Sequence, residues 1–166
     1  LKSGAKVTRD HTKDLAKTLK AIAAERVLVG VPLSTADRKP DPDDPEPISN
    51  AAIGRIMEFG SPAANIPARP HLVPAVDAQK GAITKRYRDA AKMALNGNVE
   101  ALKIAHTVVG QETSDAVRLR IETGPFAALA PMTIADRKRR GIDSEQPLIR
   151  TGQYRTAITF VIRKAS

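Results

Sequence analysis

Apolar residues recur along the chain with two different periods, and the alternation between them predicts the elements. Leu15, Leu19, Ile22 and Ala23 fall at i, i+4, i+7 and i+8, one face of a helix that Asp10 can cap, with Lys13, Lys17 and Lys20 off the stripe. RVLVGVP follows from Arg26, a short β-branched run ended by Pro32, and predicts a strand over 26–31 with Gly30 inside it. Ile53, Ile56 and Met57 mark a second helix, capped by Ser49 or Asn50 and stopped by Gly60. Leu72, Val76, Ile83, Tyr87, Ala90 and Ala94 line one face of a long helix running to about Leu95, with Pro74 in its first turn. After an Asn96-Gly97-Asn98 turn, with Asn98 as cap, Leu102, Ala105, Val109, Ala116 and Leu119 define a second long helix that ends near Glu122, before Gly124-Pro125. A short basic helix is expected over 133–140. Residues 157–164 then change period: Ile158, Phe160 and Ile162 point one way, Thr159, Val161 and Arg163 the other, as in a half-buried strand able to pair with 26–31. The pattern predicts an α+β fold, a small antiparallel sheet packed against a long α-helical hairpin and shorter helices.

Composition narrows what such a fold does. A chain of 166 residues, 42% hydrophobic, suffices for one domain (1–166) with a real core. Aromatics are 3% with no Trp, so the core is mostly Ala, Val, Ile and Leu, and base stacking on aromatic faces is a poor fit. The absence of Cys excludes disulfides, thiol catalysis and thiolate metal sites. The net charge of +9, from 27 Lys+Arg against 18 Asp+Glu, suggests a polyanionic neighbour, DNA or an acidic protein, or serves solubility alone. No apolar run approaches the roughly 20 residues that span a bilayer, and no signal-peptide core precedes the first helix, so a soluble intracellular protein without membrane contact is expected.

Candidate chemistry is sparse. Residues 34–48 interleave Pro40, Pro42, Pro45 and Pro47 with Asp41, Asp43, Asp44 and Glu46, which predicts an extended, mobile acidic loop and does not match a calcium loop. His11, His71 and His106 are dispersed; His106 reads as a packing residue and His71, after Pro70, as a cap or loop hydrogen-bonder. Gly54, Gly60 and Gly81 form no phosphate-cradling loop. No catalytic residue, metal ligand or cofactor is assigned. The stretch 49–76 carries shape rather than reactivity. Pro62, Pro67 and Pro70 stiffen its loop, and Arg69 is the loop's charge, placed to bond the Gly60 carbonyl or the Glu58 carboxylate, or to reach a partner. Arg137, Lys138, Arg139 and Arg140 are the densest basic run: either a phosphate contact or a solvated helix end where cations complement the dipole.

Two segments carry a resemblance. IGRIMEFGSPAANIPARPHLVPAV is similar to the I-x-x-x-x-E-x-G … IPARPFLRPA signature of small tail-completion and head–tail joining proteins of long-tailed DNA phages. LAPMTIADRKRRG … PLIRTGQYRTAITFVI resembles the ending of the Mu-like virion-morphogenesis members of that group. Together they cover about half the chain, in the expected order. Glu58, Gly60, Ile66, Pro67, Ala68, Arg69 and Pro70 match the first; Leu129, Thr133, Lys138, Pro147, Leu148, Thr151 and Gly152 match the second. His71 stands where an aromatic is usual, Tyr154 where leucine is, and Arg150 where an acidic or polar residue is.

The resemblance implies a non-enzymatic virion subunit at the head–tail junction or head-proximal tail end, made in the host cytoplasm. It would form a homo-oligomeric ring around the DNA channel, with six subunits one candidate size, joining connector or adaptor to tail-tube or terminator proteins. Glu58, Gly60, Ile66, Pro67, Arg69, Pro70, His71, Thr151 and Gly152 are then the assembly-interface candidates. Lys85, Arg86, Arg88, Lys92, Arg137, Lys138, Arg139 and Arg140 would face the DNA lumen or an acidic neighbour. The alternative is a basic DNA-binding module of phage origin, with non-specific contact to DNA.

Overall fold

The computed structural model describes residues 13, 16–17, 20, 24–40 and 45–165. The helix expected over 10–23 lies outside them, except that Lys13, Ala16, Lys17 and Lys20 are helical and exposed. Residues 41–44 of the acidic stretch lie outside them too. In chain order the elements are β1 (Glu25–Gly30), α1 (Asn50–Phe59), α2 (Leu72–Leu95), α3 (Glu100–Thr123), α4 (Pro131–Arg139), α5 (Gln153–Ala157) and β2 (Thr159–Lys164), an α+β arrangement.

The predicted hairpin is present. α2 and α3 pack along each other through Ala90 and Ala94 against Ala101, Leu102 and Ala105, where the small side chains permit close approach. Gly97 turns the chain at φ 99°, a conformation in which a Cβ would be strained. Asn98 does not cap α3 through its side chain; Val99 is the N-cap residue, and the Asn98 carbonyl accepts from the Ala101 N–H.

The α3 stripe also differs from expectation. Leu119 is 58% exposed, whereas Val117 and Ile121 are fully buried. The reason is that α3 serves two partners: α2 on one flank, and the sheet, which lies on α3 as well. Gly110 is the point of closest approach, where an added Cβ would sit 2.2 Å from the Phe160 ring.

β1 and β2 pair antiparallel in the register Glu25↔Lys164 to Gly30↔Thr159. The expected pairing is therefore present, with β1 one residue earlier and β2 two residues shorter than the alternation predicts. Ala157 closes α5 instead, and Ile158, fully buried, enters the main core with Ala75, Val117, Ile121, Leu148 and Tyr154. α5 leaves no trace in the hydrophobic pattern: at five residues it is barely longer than one turn.

The acidic loop is anchored on its N-terminal side. The Thr35 hydroxyl donates to the Ala157 carbonyl at 2.8 Å, the Lys39 N–H to Gln153 Oε1 at 2.8 Å, and the Asn50 N–H to the Ala36 carbonyl at 2.7 Å. Among the described residues no helix is long and apolar enough to cross a membrane.

Candidate functional site

α1 delivers Glu58 to a buried position under the start of α2. Ser49 caps α1 by accepting from the Ala52 N–H, and Gly60 ends it at φ 76°. There is no room at Gly60 for a side chain, since an added Cβ would meet the Ala68 nitrogen at 2.9 Å. α2 has no capping side chain of its own. Glu58 supplies one from outside, accepting from the backbone N–H groups of His71 (2.8 Å), Leu72 (2.9 Å) and Val73 (3.0 Å). A helix start leaves several donors without intrahelical partners and carries the positive end of the dipole, so a carboxylate is well placed there. Burial pushes the Glu58 pKa up, but the three backbone donors and nearby His71 outweigh it and hold the carboxyl below its usual range.

His71 is fully buried beside it. Its Nδ1 lies 2.8 Å from the Arg69 carbonyl, which can only accept, so that nitrogen carries the proton. Nε2 then accepts from the Tyr154 hydroxyl of α5, the rings meeting edge-on. Burial is the main cause that lowers the His71 pKa; Arg120 adds to it, against the opposing pull of the Arg69 carbonyl and Glu58. Burial, then the Glu58 charge, pushes the Tyr154 phenol up. Both stay neutral near pH 7. His71 and Tyr154, from distant parts of the chain, thus bond each other.

The loop after α1 folds on itself. Ser61 and Ile66 exchange N–H···O bonds of 2.9 Å each, Asn65 takes a left-handed turn, and the Arg69 N–H returns to the Met57 carbonyl at 2.6 Å. Arg69 itself is 5% exposed and corrects the expectation for its partners. It bonds neither the Gly60 carbonyl nor the Glu58 carboxylate; Nε donates to the Ala127 carbonyl (2.9 Å) and Nη2 to that of Ala128 (3.1 Å). It thus ties the loop to the segment leading into α4.

Arg137 is the second correction. Expected on an exposed DNA- or partner-facing run, it is 7% exposed, and its Nη1 donates to the carbonyls of Ser144 (2.7 Å), Gln146 (2.9 Å) and Ile149 (3.0 Å). α4 turns this side chain inward, and residues 144–149 wrap over it. Burial above all, then Arg150 and Arg69, lowers its pKa. Lys138, Arg139 and Arg140 remain exposed, paired with Glu145 (3.3 Å) and with the two oxygens of Asp136 (2.9 and 3.0 Å).

These pieces enclose a groove of about 820 Å³. Gly60, Ile66 and Pro67 form one wall, Leu129, Thr133 and Pro147 the other, and Arg69 and Arg137 line it between them. Phe59, 67% exposed, stands at its rim. Thr151 and Gly152 line a smaller neighbouring groove of about 310 Å³ that shares Met57, Arg137 and Pro147 with the first. Gly152 adopts φ 77° to start α5. Glu58 and His71 lie outside both grooves, and Pro70 is exposed, its carbonyl accepting from Arg120 Nε at 3.3 Å.

The basic face of α2 is elsewhere. Lys85, Arg86, Arg88 and Lys92 are exposed, with Arg86 paired to Glu112 of α3 at 2.5 Å. Lys85 and Arg86 border a separate groove with Met93 and Ile104. Among the described residues no group of three His, Asp or Glu side chains is placed to hold a metal ion. Sequence reasoning misses Tyr154 as a partner of His71, and the Ala127 and Ala128 carbonyls as the anchors of Arg69. Nothing in the spacing of the residues signals the first. Nothing in the composition signals the second.

Comparison with protein-family models, with curated proteins and with solved structures finds no match to this chain.

Proposed function

We propose that this chain is a non-enzymatic assembly subunit: a tail-completion or neck protein of a long-tailed DNA phage or prophage. It would form a ring that joins capsid connector to tail. One observation carries the reading. Gly60, Ile66, Pro67 and Arg69 from the first phage-like segment, and Leu129, Thr133 and Pro147 from the second, are far apart in sequence yet line one groove. The groove is walled by prolines and braced by buried arginines, a surface prepared in advance that loses little entropy when a partner docks. In this reading the 60–70 loop and the 34–48 stretch make the contacts between subunits. Lys85, Arg86, Arg88 and Lys92 face the DNA channel or an acidic ring.

The test is the mass of the purified chain and its presence in particles. Self-association together with a fixed place at the head–tail junction is the expected result. A chain that joins neither itself nor any virion component would end the proposal.

A second reading, a module acting on DNA directly, is favoured by the exposed cations of α2 and the net charge of +9. It requires DNA affinity that falls steeply with salt. A flat salt response in an anisotropy titration removes it.

A further inference from the structure

The arginines of the groove are unusual in what they lack. Arg69 uses Nε and Nη2 on carbonyls and Arg137 uses Nη1, and neither makes an ion pair with a carboxylate among the described residues. Arg69 Nη1 and the Nε and Nη2 of Arg137 have no partner there. Buried charge is costly unless paired as well as hydrogen-bonded. The carbonyl bonds hold each guanidinium plane in place and leave N–H groups over for an anion.

The shape of the groove says which anion. Ile66, Pro67, Leu129 and Pro147 make its walls apolar, with Phe59 at the rim. A nucleic-acid backbone suits an open basic ridge such as the outer face of α2. A recessed, proline- and aromatic-edged groove with guanidinium groups in it suits an extended peptide whose proline rings lie on the walls and whose carboxylates reach the cations.

The chain itself contains such a peptide. Residues 41–47 read DPDDPEP and hold four of the 18 acidic residues of a protein whose net charge is +9. Three prolines in seven residues restrict such a sequence, so docking orders little. In their own subunit the roots of the stretch stand at the smaller groove, where Arg38 and Ile48 lie beside Arg150 and Thr151; that groove shares Arg137 with the larger one but does not reach Arg69.

We propose that the groove between the 60–70 loop and the 127–133 segment receives residues 41–47 of a second copy of this chain, whose carboxylates bind Arg69 and Arg137. The inference rests on the self-assembling role argued above and names the contact that would link one subunit to the next.

The receptor for the test is the full chain carrying D41N, D43N, D44N and E46Q, so that its own stretch cannot compete. A fluorescent peptide of residues 39–48 is titrated into it and followed by anisotropy. Saturable binding is expected, weaker by about tenfold or more between low and high salt, and abolished when the peptide carries the same amide substitutions. The mass of the unsubstituted chain is measured beside that of the amide variant, which is expected to shift towards monomer.

No peptide binding, equal binding of the amide peptide, or displacement of the peptide by a single-stranded oligonucleotide overturns the inference. The last result would assign the groove to phosphate. Peptide binding with unimpaired assembly of the amide variant also overturns it, because the stretch then docks within its own subunit, while the ring reading stands. Failure of the unsubstituted chain to assemble at all is a different result and ends the ring reading itself. The urea midpoint of the amide variant is measured beside that of the unsubstituted chain, so that a loss of assembly is told apart from a loss of folding.

Discussion

The groove and the outer face of α2 are both positively charged, but the charge is held differently in each. In the groove, Arg69 and Arg137 are buried and donate to five backbone carbonyls. On α2, Lys85, Arg88 and Lys92 are solvated, and Arg86 makes a cross-helix surface pair. A buried cation is desolvated and persists where fixed acceptors offset that penalty, so its removal leaves those acceptors unsatisfied. A surface cation costs almost nothing to keep and little to remove. The first kind of charge brings segments together; the second contributes mainly to the field the protein presents to its surroundings.

The largest effect expected from perturbing the buried side is at Glu58. Glu58→Ala strips the acceptor from three backbone donors at the start of α2 and should cost about 3 kcal/mol or more of unfolding free energy in urea. A loss no larger than that of an ordinary surface substitution would mean water replaces the carboxylate and the site is less enclosed than described. Next come neighbours in one basic run. Arg137→Ala should cost about 2–3 kcal/mol, because three carbonyls are left without their donor, whereas Lys138→Ala should leave the denaturation midpoint unchanged. Equal effects at 137 and 138 would erase the distinction between the two kinds of charge.

The His71–Tyr154 bond is tested by a double-mutant cycle. His71→Phe strands the Tyr154 hydroxyl, Tyr154→Leu strands His71 Nε2, and the double variant removes both partners. It should therefore be less destabilised than the sum of the singles by about 1–2 kcal/mol. Additive singles would show that the bond contributes nothing.

Acid sharpens the contrast in another way. His71 has its folded pKa lowered, so the unfolded chain takes up the proton first and stability declines as pH drops below the ordinary value of 6.5. Glu58 is also lowered; its contribution is complete above its ordinary 4.5 and disappears as pH falls through the folded pKa. Urea midpoints between neutral and acid pH should fall in two stages, and His71→Phe should remove the first. The smallest effect on stability is expected on α2. Replacing Lys85, Arg88 and Lys92 by Gln should shift unfolding by about 0.5 kcal/mol or less per site. If this face binds DNA, the slope of log affinity against log salt should flatten by about one for each phosphate no longer neutralised.

How much of this is legible in the sequence depends on whether the information is periodic. α2 and α3 each repeat an apolar stripe over many turns, and both can be read nearly to their ends. β1 and β2 can be read from β-branching and alternation. α5 cannot, because a five-residue helix offers no repeat. A single stripe drawn for α3 puts Leu119 inside, whereas that helix meets both α2 and the sheet, and Val117 and Ile121 are buried instead, in the core with Ala75, Leu148, Tyr154 and Ile158. Arg69 is legible as pinned, since a lone arginine between prolines has few ways to remain solvated. Its acceptors are not, because they lie more than fifty residues on, in a loop of alanines without any distinguishing side chain. Arg137 reads like its neighbours because composition cannot distinguish the one member of a basic run that turns inward.

The two-stranded sheet has a consequence for the order in which the molecule forms. Gly30 pairs with Thr159, so β1 waits for residues 159–164 to emerge before it has a partner. The α2–α3 hairpin needs only its own turn and has everything required long before. Neighbours close in sequence associate early, and closing a long loop comes late because its entropy is given up before the pairing returns any free energy. During synthesis β1 therefore emerges first and waits without its partner strand while the hairpin, which follows it, collapses. The Phe160 ring settling on Gly110 belongs to the last stage of folding, and the strand that arrives last is the one that closes the structure.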